Sequence, residues 1–144
     1  MTQEQSAEIE RACARIVHAY AKHADFGEAK EAAALFAESG RLEMPTGQVF
    51  AGPDAVRTRL AQQPESQVSR HVISNVLIEV VDANRASGTC YLTLYRGTRH
   101  GSGALPLEAP FLVGHYEDRF VLTPDGWKFA LRKLKTTFRS GAAS

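Results

Sequence analysis

An α+β fold is what this sequence predicts, on three observations. Apolar residues recur at helical spacing through the N-terminal third, alternation of the kind found in strands takes over from about Val68, and turn-forming clusters cut that second half into hairpins. No strand–helix–strand repeat of a parallel sheet is visible. The first helix is expected from Ser6 to about Ala24, where Ile9, Cys13, Ile16, Val17 and Tyr20 line one face and Glu8, Arg11, Arg15 and Lys22 the other. Gly27 breaks the pattern, and a second helix is expected from about Glu28 to Ala37. Ser39 to Gly52, rich in turn residues, reads as a short hairpin. Gly52-Pro53-Asp54 opens a third helix, about Pro53 to Gln63, with the proline in the first turn, where its missing N–H costs nothing.

The segment from Ser69 to Tyr95 carries two long strands joined by the turn Asp82-Ala83-Asn84, and Pro124-Asp125-Gly126 marks a second hairpin. Between them, Gly97 to Ala109 is expected to be one long, mobile connection. Strict alternation would place Ser69, His71, Ile73 and Asn75 on one face and Val72, Val76, Ile78 and Val80 on the other. The antiparallel sheet, about Val68 to Arg139, should therefore curve around a helix and leave a pocket at its open end.

Composition bounds the function. The chain has 144 residues, enough for one domain with a real core and an ordered part of about 6–139, and no linker or repeat suggests a second domain. Seventeen basic and sixteen acidic residues give a net charge of +1, which argues against a nucleic-acid or membrane-surface partner. Cys13 and Cys90 are far apart and belong to no Cys/His cluster, so they read as buried thiols in a reduced compartment. With no signal-peptide pattern and no long apolar run, a cytoplasmic location is expected. No metal signature, nucleotide-binding glycine motif or nucleophile elbow is present, so any catalysis should need no cofactor. His18 and His23, five apart on a helix, are not a chelating pair.

The order of these elements resembles a known family. Tyr20 and Asp25 near the end of the first helix, Leu35-Phe36, the hairpin before Gly52-Pro53-Asp54-Ala55-Val56, the strand from Ser69 to Asn75, Gly114 to Phe120 and Gly126 to Leu134 together resemble the SnoaL-like branch of the nuclear transport factor 2-like superfamily. The resemblance covers nearly the whole chain. It implies a cone-shaped, cystatin-like fold with three N-terminal helices and a curved, mainly antiparallel sheet enclosing a pocket, and a homodimer formed through the outer face of the sheet. Members include dehydratases, cyclases, isomerases and non-catalytic subunits, so fold alone does not set function.

Among these, the chain looks most like the scytalone and bile-acid 7-alpha dehydratases. That likeness implies a catalytic set of Tyr20, Asp25, His71 and Arg132. Five residues along an ideal helix turn about 140°, so Tyr20 and Asp25 share a face only if the helix unwinds. A carboxylate on one imidazole nitrogen would fix the tautomer and leave the other nitrogen to take a proton and return it. Asn75, Tyr91, His115 and Phe50 are the candidate substrate-contacting residues. Alternation leaves open whether His115 or Tyr116 faces inward. Phe26, Phe36, Phe111, Phe129 and Trp127 are expected mostly in the core, and the basic run Arg96 to Gly101 at a flexible loop tip, with contact to an anionic substrate as the less favoured alternative. Two functions follow: a cofactor-independent lyase or isomerase acting on a hydrophobic polycyclic, steroid-like or polyketide-like small molecule, or a non-catalytic ligand-binding or partner subunit such as the small subunit of a ring-hydroxylating dioxygenase.

Overall fold

The computed structural model describes residues 1–141. Helix α1 (Gln3–Asp25) starts earlier than its apolar stripe implies, because Thr2 and Gln5 form a reciprocal cap: the Gln5 N–H donates to Thr2 Oγ1 at 3.1 Å and the Thr2 N–H to Gln5 Oε1 at 2.8 Å. It buries Ile9, Cys13, Val17, Tyr20 and Ala21. Gly27, at φ +71°, lets the chain leave the helix in a conformation that other residues rarely adopt.

Helix α2 is shorter than expected, Ala29–Ala33, because Phe36 and Ala37 already belong to strand β1 (Phe36–Glu43). The aromatic ring of Phe36 is worth more in the sheet core, against Phe129 at 5.1 Å, than on a marginal helix end. Strand β2 (Val49–Ala51) closes the expected hairpin, and α3 runs Pro53–Ala61.

Four long strands follow: β3 (Gln67–Asp82), β4 (Arg85–Thr98), β5 (Leu112–Thr123) and β6 (Gly126–Arg139). They form one six-stranded sheet in the order β2-β1-β6-β5-β4-β3. The neighbours are antiparallel except β1 and β6, a parallel pair that the sequence pattern did not announce. The reason is topological: β1 returns beside the last strand of the chain, a pairing with no local signal.

The concave face carries the core. Val17, Val56, Leu92, Phe120 and Phe129 are fully buried between helices and sheet, each contributing about 1.5–3 kcal/mol relative to an exposed position. Cys13 and Cys90 are buried there too, and burial pushes the Cys13 thiol up to about 12. Phe26, expected in the core, is instead 61% exposed beyond the end of α1, its ring beneath the Arg70 guanidinium at 5.0 Å.

One irregularity redirects β3. Its pairing with β4 shifts between Ser74 and Leu77, and Asn75 stands at φ +53°. This bulge adds a residue and reverses the alternation. Ser69, His71 and Ile73 point inward before it, and Val76, Ile78 and Val80 point inward after it. Val72 and Asn75 are consequently exposed on the convex side, correcting the strict alternation expected from sequence.

Candidate functional site

The last turn of α1 brings Asp25 against the start of β3. His71 Nδ1 lies 2.5 Å from Asp25 Oδ1, the His71 backbone N–H donates to Oδ2 at 2.8 Å, and the Ser69 hydroxyl donates to Oδ1 at 3.2 Å. Three donors thus fix one carboxylate. Since a carboxylate accepts, Nδ1 carries the proton and Nε2 keeps its lone pair. Both side chains are largely buried, at 7% and 14% exposure.

His71 lines a cavity of about 250 Å³ together with Tyr20, Leu92, Leu94, Phe111 and Tyr116. Asp25 stands behind His71 rather than in the wall. No unwinding of the helix is needed to bring Tyr20 and Asp25 into one site: Tyr20 reaches the cavity directly, and Asp25 reaches it through the imidazole. Tyr20 packs edge-on to Tyr116, with ring centres 6.3 Å apart. Neither phenol makes a protein hydrogen bond among the described residues. Burial raises both phenols above the ordinary range, against the pull of the Arg132 charge, and Tyr20 lifts Tyr116 further. Both remain neutral hydrogen-bond donors at physiological pH.

Arg132 is not in the cavity, contrary to expectation. It is completely buried, stacked 3.6 Å over the centre of the Tyr116 ring and 4.7 Å over that of Tyr20. Its Nε donates to Asp118 Oδ1 at 3.0 Å and Nη2 to Oδ2 at 3.3 Å, with Cys90 Sγ 3.6 Å from Nη2. Nη1 has no partner. Burial works against the guanidinium charge, but the neighbouring Asp118, above all, outweighs it and holds the group ionised. At Asp118 burial dominates and pushes the carboxyl upward, with Arg132 pulling the other way. Excess cost falls on the carboxylate, and the pair stays ionic because a guanidinium does not give up its proton.

The expected substrate-contacting residues do not gather at this cavity. Asn75 is carried to the convex face by the bulge, and Tyr91, paired with Ser74 and 55% exposed, lies on that face as well. His115 is outward too, bound to Glu117 at 2.9 Å, because β5 turns Tyr116 and Asp118 inward. Its neighbour Gly114 permits this: a Cβ there would collide with the Lys135 carbonyl oxygen as β5 and β6 close up. Phe50 is half-buried beside the Arg59 guanidinium, 5.8 Å from its ring centre, and is not part of the cavity wall.

Tyr116 and three arginines, Arg59, Arg96 and Arg139, also line the cavity; the sequence leaves Tyr116 open against His115, offers Arg96 as a loop-tip residue able to meet an anionic substrate, and does not single out Arg59 or Arg139. Arg96 had a readable signal. It continues the inward row Leu92, Leu94 on β4, which extends to Thr98, past the point where a loop was expected. Among the described residues no cluster of three metal-ligating side chains occurs, and no helix is long and apolar enough to cross a membrane.

A cystatin-like cone whose concave pocket holds a carboxylate-bound histidine is the class this geometry defines. The chain belongs to the SnoaL-like domain family, which matches residues 5–133. In overall structure it is similar to a candidate scytalone dehydratase of Novosphingobium aromaticivorans (TM-score 0.81, 23% identity, 99% of this chain and 93% of that one). It is also similar to a type 2 LinA hexachlorocyclohexane dehydrochlorinase (TM-score 0.81, 10% identity, 99% and 95%). A third likeness is to a nuclear transport factor 2-like protein with a cystatin-like fold from N. aromaticivorans (TM-score 0.70, 22% identity, 97% and 85%). At these identities the likeness is one of fold. No curated protein matches the chain by sequence.

Proposed function

We propose that the protein is a cofactor-independent lyase that eliminates a leaving group beside an acidified C–H bond, with His71 as the base. The contact between Asp25 and His71 at the wall of a partly open cavity with more apolar than polar lining carries this reading. Burying two ionisable groups is costly unless they satisfy each other, and here they do so while one imidazole nitrogen faces the substrate space. Nε2 takes the proton alpha to a carbonyl, the electron pair forms the enolate, and the enolate expels hydroxide as the double bond forms. The proton on Nε2 then passes to the departing oxygen, releasing water. Asp25 balances the transient imidazolium, and Tyr20 and Tyr116 donate hydrogen bonds to the enolate oxygen. Neighbours of the same fold described as a dehydratase and a dehydrochlorinase are consistent with elimination.

The cavity of about 250 Å³ is just below the usual range of ligand pockets, roughly 300–1,000 Å³. This favours a substrate of one or two rings over a steroid. The test is a panel of cyclic β-hydroxy carbonyl compounds, with and without a carboxylate, incubated in deuterated water and followed by proton NMR. Water loss or alpha deuteration that disappears in His71→Ala supports the reading. Rates equal in wild type and His71→Ala across the panel overturn it.

A further inference from the structure

Three guanidiniums come from three separate elements to one cavity: Arg59 from α3, Arg96 from β4 and Arg139 from β6. Among the described residues no aspartate or glutamate lines that cavity. Of the nine other arginines, three have carboxylate partners among the described residues, Arg85 with Asp82 at 2.7 Å, Arg41 with Glu43 at 3.6 Å and Arg132 with Asp118 at 3.0 Å. None of the three cavity arginines forms an ion pair among the described residues. Two are held in place by aromatic rings rather than by opposite charge, Arg96 lying 4.4 Å from the centre of Phe111 and Arg59 5.8 Å from that of Phe50.

Arg96 stands opposite Ser69, one same-face step along the strand pair from His71 and Leu94, and is solvent-exposed at the cavity's edge. Partial desolvation by the cavity wall lowers its proton affinity, and the charge of Arg59 lowers it further. The overall net charge is only +1, so this concentration of positive charge is local. A cavity with one sign of charge on low-dielectric walls attracts the opposite sign.

We infer that the substrate carries a carboxylate, bound by Arg59, Arg96 and Arg139, while its reacting carbon faces His71. This rests on the elimination reading for its reacting end only. The planar fork of a guanidinium matches the two oxygens of a carboxylate, so several such groups select a flat anion over a neutral molecule of equal size.

Binding separates the anchor from the chemistry. The probes are 2-naphthoate and its neutral isostere 2-naphthamide, titrated calorimetrically into the wild type, Arg96→Gln, Arg139→Gln, the Arg96→Gln/Arg139→Gln double variant and His71→Ala, with folding checked by circular dichroism. The naphthoate is expected to bind about tenfold more tightly than the amide, with the preference shrinking as salt rises from about 0.05 to 0.5 M. Each single arginine variant should lose most of that preference while amide binding is unchanged, and resonances of His71 should shift on binding. His71→Ala should keep the preference, so failure of the catalytic reading leaves this result standing. Equal affinity for the two probes, no measurable binding of either, or a preference that survives in the double variant would overturn the inference.

Discussion

Asp25–His71 and Asp118–Arg132 are both buried carboxylates holding a nitrogen base, yet their surroundings give them different work. The first pair keeps one imidazole nitrogen on a cavity, where it can take up and return a proton. The second is sealed, at 1% and 0% side-chain exposure, and its guanidinium cannot exchange its proton. Arg132 acts through the rings of Tyr20 and Tyr116, its charge lying behind the phenols that face the cavity. What separates a reactive pair from a structural one is therefore not burial or charge but access to empty space.

The comparison is broken most strongly by removing one partner at a time. His71→Ala should lower turnover on the responsive substrate by about 100- to 10,000-fold, and Asp25→Asn should fall in the same range, far beyond any loss of folded protein. Steady-state kinetics beside thermal melts would check this. Removing Arg132 should tell mainly on stability: Arg132→Met leaves an uncompensated buried Asp118 and should cost about 3–5 kcal/mol of stability in urea titrations. The double change Asp118→Leu/Arg132→Met should recover most of that loss, since neither charge is then stranded. Should the single variant melt like the wild type, the sealed pair is not structural.

Tyr20→Phe sharpens the boundary between the two regions. It removes one neutral donor from the cavity but keeps the ring under Arg132, so it should cost about 0.5–1.5 kcal/mol in the transition state and little in stability. The smallest effect belongs to His115→Ala, an outward histidine paired with half-exposed Glu117. Turnover should stay within about twofold and stability within about 0.5 kcal/mol.

Much of this architecture was legible in the residues. The stripe Ile9, Cys13, Val17 and Tyr20 specified α1, turn chemistry at Asp82 to Asn84 and at Pro124 to Gly126 located both hairpins, and Asp25 and His71 were singled out as a pair. What failed did so for identifiable reasons. The bulge at Asn75 has no glycine or proline to announce it, so strict alternation carried Asn75 to the wrong face. His115 and Tyr116 could not be ranked, because β5 alternates two plausible inward sets and only packing against Tyr20 decides. Arg132 was expected in the cavity from the dehydratase likeness, and its ion pair with Asp118, fourteen residues away, has no sequence signature. Arg59 and Arg139 join the cavity only through the tertiary fold.

The central claim, that Asp25 sets His71 up as a base facing the cavity, is tested most directly by nitrogen-15 NMR of the histidine ring at a pH where His71 is neutral. The account predicts a protonated Nδ1 and a bare Nε2 for His71 in the wild type, with that tautomer preference lost in Asp25→Asn. A His71 protonated at Nε2, or one whose tautomer is unchanged by Asp25→Asn, would contradict it.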